Sequence, residues 1–150
     1  MTHGSTGMLL LVALAASAPA GAVIRPVSDV AGLQAALAAA DPGDEIVLAA
    51  GSYLVESNLN VTRSGTPGAP IRLRAGTAHA ALLRFDTVEG FRVAASDWRF
   101  EDLSIQGECG SDDFCEHAFH LLAAAARASA CRWAVAARRR SSARMAAAIP

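Results

Sequence analysis

IRLRAGTAHAALLRFDTVEGFRVAASDWRFEDLSIQG, residues 71–107, alternates apolar and polar side chains in short runs broken at Gly76, Gly90 and Gly107. Ile71, Leu73, Leu83, Phe85, Phe91, Val93, Leu103 and Ile105 fall on one side of the runs. Arg72, Arg74, Arg84, Arg92, Asp102 and Ser104 fall on the other. A period of two is that of a strand with one buried face. The runs also recur at a constant interval. Ile71-Arg72-Leu73 returns as Phe91-Arg92-Val93, and Leu83-Arg84-Phe85 returns as Leu103-Ser104-Ile105. Short strands recurring about every 20 residues, with no helices between them, predict a β-solenoid. Its successive coils stack apolar on apolar and hydrogen-bond in parallel. A β-sandwich also uses short strands, but it prefers hairpins, and the chain contains no Asn-Gly or Asp-Gly pair.

Upstream, Glu45–Ala49 and Leu59–Thr62 read as further strands, and Gly51 and Gly65-Thr66-Pro67-Gly68 read as turns. Trp98–Gln106 is long enough to hold two strands. Ahead of them Val30, Leu33 and Leu37 keep the i, i+3, i+7 spacing of a helix from about Asp29 to Ala40. Ser28 is its expected cap, Gly32 weakens it by about 1 kcal/mol, and Asp41-Pro42-Gly43-Asp44 ends it.

Leu33–Ala75, LQAALAAADPGDEIVLAAGSYLVESNLNVTRSGTPGAPIRLRA, resembles the opening of pectate-lyase-like right-handed parallel β-helices. The likeness is nearest to the alginate lyase and chondroitinase B branch. It rests on a capping helix, Pro-Gly-Asp, an apolar strand, Gly-x-Tyr, a Ser-Gly-Thr loop and Pro-Ile before the next strand. Trp98–Gly107 looks like the family's recurring strand ending in Gly. The resemblance covers residues 28–120. It implies an all-β fold: a right-handed parallel β-helix with an N-terminal capping helix, incomplete at the C-terminus. It also implies a parent that acts on uronic-acid polysaccharides as a lyase or epimerase. That chemistry removes a proton α to a carboxylate, so it needs a base and a group that neutralises the carboxylate. In the family these groups come from later coils, and no catalytic position carries over to this chain. The chain has no Lys, so a lysine base is excluded. The chain is therefore expected to be inactive alone, with no cofactor of its own, although calcium serves some parents. A non-catalytic extracellular β-helix for adhesion or scaffolding is the competing reading.

Domain organisation follows from composition. Met8–Ala16 is an apolar run of signal-peptide length, and Ala20-Gly21-Ala22 is a small-residue cleavage site. Residues 1–22 are expected to be removed, leaving a secreted or periplasmic chain that starts at Val23 and has no membrane anchor. Residues 23–120 hold the β-helix coils, with 7 Arg against 14 acidic residues. That balance disfavours nucleic acid as a partner and leaves polysaccharide as the candidate. Residues 121–150 change character, with 13 Ala and 6 Arg and no Gly, Asn or acid. They read as out-of-frame translation of a GC-rich gene, or as a disordered or helical tail. On the first reading, another frame beyond codon 121 encodes more coils.

Candidate site residues are few. Outward Arg72, Arg74, Arg84 and Arg92 suit an anionic sugar. Asp112, Asp113 and Glu116, in the same loop as Glu108, are oxygen donors suited to calcium. Cys109 and Cys115 are close enough in sequence to pair as a disulfide, leaving Cys131 over. His117 and His120 beside Glu116 are a weak zinc motif, since residues three apart on a strand point to opposite faces. Asn60-Val61-Thr62 is a glycosylation sequon.

Overall fold

The computed structural model describes residues 21–108, 117–122, 126–129 and 132–135, the last two stretches by backbone alone. Among the described residues one helix, α1 (Val30–Ala39), accompanies twelve strands. These are β1 (Ile24–Val27), β2 (Glu45–Leu48), β3 (Gly51–Val55), β4 (Leu59–Val61), β5 (Ile71–Ala75), β6 (Ala81–Phe85), β7 (Glu89–Val93), β8 (Trp98–Glu101), β9 (Ser104–Gly107), β10 (His117–Leu121), β11 (Ala126–Ser129) and β12 (Arg132–Val135).

The strands form three sheets, and every strand pairing in them is parallel. The first runs β1-β2-β5-β8-β11, the second β3-β6-β9-β12 and the third β4-β7-β10. From β2 onward each strand pairs with the third strand on, which is consistent with a parallel β-helix. Three strands, such as β5, β6 and β7, make one rung. The core residues stack from rung to rung: Ile46, Leu73 and Phe100; Tyr53, Leu83 and Ile105; Leu59, Phe91 and Phe119. All eight apolar positions expected to share a face between residues 71 and 105 are buried.

The rungs are longer than the interval seen in sequence. Leu73 stacks on Phe100, Leu83 on Ile105 and Leu59 on Phe91, and each step exceeds that interval. Ile71–Leu73 and Phe91–Val93 look alike in sequence but lie in the first and third sheets. The sequence interval joined two faces of the core, because all three faces demand the same apolar alternation.

Other boundaries also shift. Asp29, not Ser28, caps α1, accepting from Gly32 N at 2.6 Å. A Cβ on Gly32 would approach that carboxylate oxygen to 3.2 Å, so glycine leaves room for the cap. Gly51 opens β3 rather than a turn, with φ of +153°. β1, which holds Pro26, was not among the expected strands. Its place at the edge of the first sheet is where proline is tolerated. Trp98–Gln106 does hold two strands, separated by a corner at Asp102, whose φ is +58°.

Within the Ala/Arg-rich stretch β11 and β12 run parallel to β8 and β9, a strand conformation where a helical or disordered tail was among the expectations. The open edges of β8 and β9 offer rows of unpaired backbone groups. Pairing with them outweighs the helix preference of alanine, which is worth under about 1 kcal/mol per residue. Residues 1–20, 109–116, 123–125, 130–131 and 136–150, Cys109, Cys115 and Cys131 among them, lie outside the described residues.

Asp44 from the Pro-Gly-Asp turn ties the first rung together. It is buried, and it accepts from Val23 N at 2.9 Å, Asp41 N at 3.0 Å and Arg25 Nε at 2.9 Å. Burial raises its pKa, but the Asp41 and Val23 N–H groups and the Arg25 charge together hold it below the ordinary 3.8. A depressed carboxylate contributes stability that is complete above the unfolded value and is lost as pH falls through the folded one. Thermal midpoints measured down through pH 3.8 should therefore fall more steeply in the parent than in Asp44→Asn. Parallel curves would refute this role.

Candidate functional site

The four arginines expected to bind an anionic sugar lie on three different faces. Arg72 and Arg74 are on the first sheet, Arg84 on the second and Arg92 on the third. Two of them are occupied. Arg74 pairs with Glu45, and Arg84 makes a two-pronged pair with Glu108, Nε to Oε1 at 2.7 Å and Nη2 to Oε2 at 2.5 Å. Arg72 and Arg92 are exposed and carry no ion pair among the described residues.

Around Arg92 the third sheet gathers a polar column. The register aligns Asn60 of β4, Arg92 of β7 and His120 of β10 on adjacent strands. Strand spacing puts successive members about 4.8 Å apart at the backbone. Asn60 and Arg92 each stand between two buried neighbours, Leu59 and Val61 for the first, Phe91 and Val93 for the second, and so face outward. His120 follows Phe119, which packs against the core. His120 Nδ1 sits 2.6 Å from Glu89 Oε1. An ionised carboxylate accepts only, so in this contact Nδ1 is the donor and Nε2 is the other ring nitrogen. The rings of His117 and His120 lie 6.3 Å apart, so the two histidines approach one another despite their odd spacing.

Beside Asn60 the column opens into a cleft of about 410 Å³ between α1 and β4. Gln34, Ser57, Asn58, Asn60 and Thr62 line it, groups that exchange hydrogen bonds with hydroxyls. The sequon Asn60–Thr62 is part of this wall.

The sequence did not reveal the Glu89–His120 pair. Its members are far apart in the chain and meet only through rung stacking. The signal lay in the alignment of Phe91-Arg92-Val93 with Phe119-His120-Leu121, which share the apolar-polar-apolar pattern. Asp112, Asp113 and Glu116, the calcium candidates, lie outside the described residues, as does the Cys109–Cys115 pairing. Among the described residues no group of three or more His, Cys, Asp or Glu side chains gathers as a metal site, and His120 meets Glu89.

The chain is similar to alginate lyases of known structure. An alginate lyase from Paenibacillus sp. str. FPU-7 is 26% identical over 57% of this chain and 32% of its own, with a TM-score of 0.47. The family PL6 alginate lyase AlyGC is 22% identical over 74% of this chain and 15% of its own, with a TM-score of 0.49. A mannuronic acid specific polysaccharide family 6 lyase from human gut microbiota is 20% identical over 73% of this chain and 25% of its own, at 0.44. The chain thus spans less than a third of the length of each. With TM-scores below 0.5, these likenesses assign no residue of this chain a role. No protein-family model matches the chain, and no curated protein does. Among the described residues no helix is long and apolar enough to cross a membrane.

Proposed function

We propose that this chain is part of a secreted, right-handed β-solenoid related to polysaccharide lyases, capped at its first rung by α1. Its role is to hold a uronic-acid polysaccharide along the outer face of the third sheet. The observation that carries the reading is the Asn60–Arg92–His120 column with Glu89 behind it. A polysaccharide running across the rungs meets one member per strand, at a spacing close to the advance of one pyranose residue. Arg92 is exposed and offers a planar fork of donors that matches a carboxylate. The amide-lined cleft at Asn60 takes neutral hydroxyls.

Neutralising a uronate carboxylate makes the proton α to it easier to remove. His120, oriented by Glu89, presents Nε2 as a base beside that cation. The leaving glycosidic oxygen also needs a proton donor, and this column by itself offers none. Binding without release of unsaturated uronate is the expected behaviour of the chain alone.

Titration calorimetry with alginate or polygalacturonate, against a neutral glucan, tests the reading. Arg92→Ala should lose about tenfold or more in affinity for the acidic polymers, the scale of one hydrogen bond to a charged group. Binding by the parent should weaken as salt rises. Equal binding to neutral and acidic polymers, or an unchanged Arg92→Ala variant, would favour a scaffold without this surface.

A further inference from the structure

Val23 is gripped by its backbone on both sides. Its N–H donates to Asp44 Oδ1 at 2.9 Å, and its carbonyl accepts from Glu45 N at 2.9 Å. Its side chain is not what is held, since the residue is 47% exposed. Asp44 is 2% exposed and divides its two oxygens. Oδ2 receives Arg25, through Nε at 2.9 Å and Nη2 at 2.8 Å, and Asp41 N at 3.0 Å. Among the described residues, Oδ1 receives the Val23 nitrogen. Burying a carboxylate is unfavourable unless charge and hydrogen bonds compensate it. A neutral amide is a weak compensator, whereas an ammonium in the same place makes a bond roughly twice as strong. Val23 is also the residue that follows the small-residue site Ala20-Gly21-Ala22 and the apolar run Met8–Ala16. Residues 21–24 are exposed, so the Ala22–Val23 bond lies at the surface.

We propose that the Ala22–Val23 bond is the processing site of this chain, and that the α-ammonium group released at Val23 is captured by buried Asp44, completing the first rung. The step is a hydrolysis by a peptidase of the export route. Water adds across the bond, Ala22 leaves as a carboxylate, and the Val23 nitrogen takes up the protons that make it cationic. Asp44 has Arg25 on β1 as its ion partner, and the Arg63–Asp41 and Arg74–Glu45 pairs involve its neighbours in sequence. The new cation therefore joins Arg25 on a carboxylate that has one oxygen for each. A leader left in place would supply only an amide here, so the exported chain gains an ion pair that the precursor lacks.

The chain has no lysine, so after this cleavage the Val23 α-amino group is its only primary amine. That permits a direct test. The full-length chain is expressed through an export route, its N-terminus is sequenced, and the purified protein is treated with an acetylating ester in buffer and in urea. The chain should begin at Val23, and acetylation in buffer should be at least about tenfold slower than in urea. In Asp44→Asn that protection should be lost. Chain acetylated while unfolded and then refolded should melt about 4–8 °C lower, the shift expected from loss of one modest interaction in a domain this size. A different N-terminus overturns the proposal. So does an amine that reacts as fast in buffer as in urea, or one still protected in a folded Asp44→Asn chain. If Asp44→Asn does not fold, the ratio between buffer and urea for the parent decides.

Discussion

Truncating Phe91 to Ala should destabilise the protein by about 3–5 kcal/mol, a large part of the roughly 5–15 kcal/mol that holds a typical domain. Phe91 is fully buried and sits where the three sheets converge. Its ring lies 5.5 Å from Phe85 in its own rung, 5.2 Å from Phe100 and 5.0 Å from Phe119 in the next. Phe100 continues the cluster to Trp98 at 5.7 Å, and Trp98 Nε1 donates to Arg63 O at 2.5 Å. One truncation therefore opens a cavity bordered by rings from all three sheets, and it removes ring contacts, edge-on to Phe85, tilted to Phe100 and stacked on Phe119, worth about 0.5–1.5 kcal/mol each beyond burial. Gly90 gives no slack for collapse, since a Cβ there would already strike Ala118 O at 2.7 Å and the Phe85 ring. Urea unfolding followed by circular dichroism measures the change. Phe91→Leu, which keeps most of the volume, should lose far less. A Phe91→Ala midpoint equal to the parent's would show that the rungs are not held by this cluster.

Much of this fold was legible because burial imposes a period of two on every strand. Leu73, Leu83, Phe91 and Ile105 declare themselves as core whichever sheet they join. What the pattern does not encode is which face a strand occupies. The corner residues set that, and several corners carry no recognised turn signal. Asp97 and Asp102 adopt φ of +58° without glycine. Gly65, by contrast, is required: a Cβ there would come within 2.5 Å of Asp97 O and 2.8 Å of Ile71 N. Strands with few apolar residues were missed for the same reason. In β3 only Tyr53 and Val55 point inward, and Tyr53 spends its hydroxyl on Ala49 O at 2.8 Å rather than on solvent. Burial and the negative charge of Asp29 raise its pKa, so the hydroxyl stays protonated and keeps donating. The candidate site was only half legible. Arg92 could be picked out as an outward cation, but its partners come from the strands on either side. Those were reachable only with the true rung length, which the shorter sequence interval does not supply.

The helix at the start of the chain leads to the second large effect. Leu37→Asp should destabilise the protein by at least the roughly 2–5 kcal/mol typical of losing a buried leucine, with the cost of burying a carboxylate added. Leu33 and Leu37 are 0% and 1% exposed, and α1 lies against β1, β2, β3 and β4, the strands of the first rung and its edge. Yet α1 is only ten residues long, and a helix of that length is marginal by itself. On the proposed capping role, the helix draws its stability from the rung and keeps water from the rung's apolar end. Breaking the contact should therefore do more than melt a helix. It should uncover the apolar end formed by Ile46, Leu48, Val55 and Leu59, all 0% exposed with the helix in place. An uncovered end of a stacked array is a surface on which a second copy can stack. Leu37→Asp should thus lower the thermal midpoint and also raise the sedimentation coefficient as protein concentration increases. Gln34→Ala, on the exposed side of the same helix, should do neither, since it removes only a 3.3 Å bond to Ser57 at the surface. If Leu37→Asp stays monomeric with an unchanged midpoint, α1 does not close the first rung, and another segment must keep water from Leu48 and Leu59.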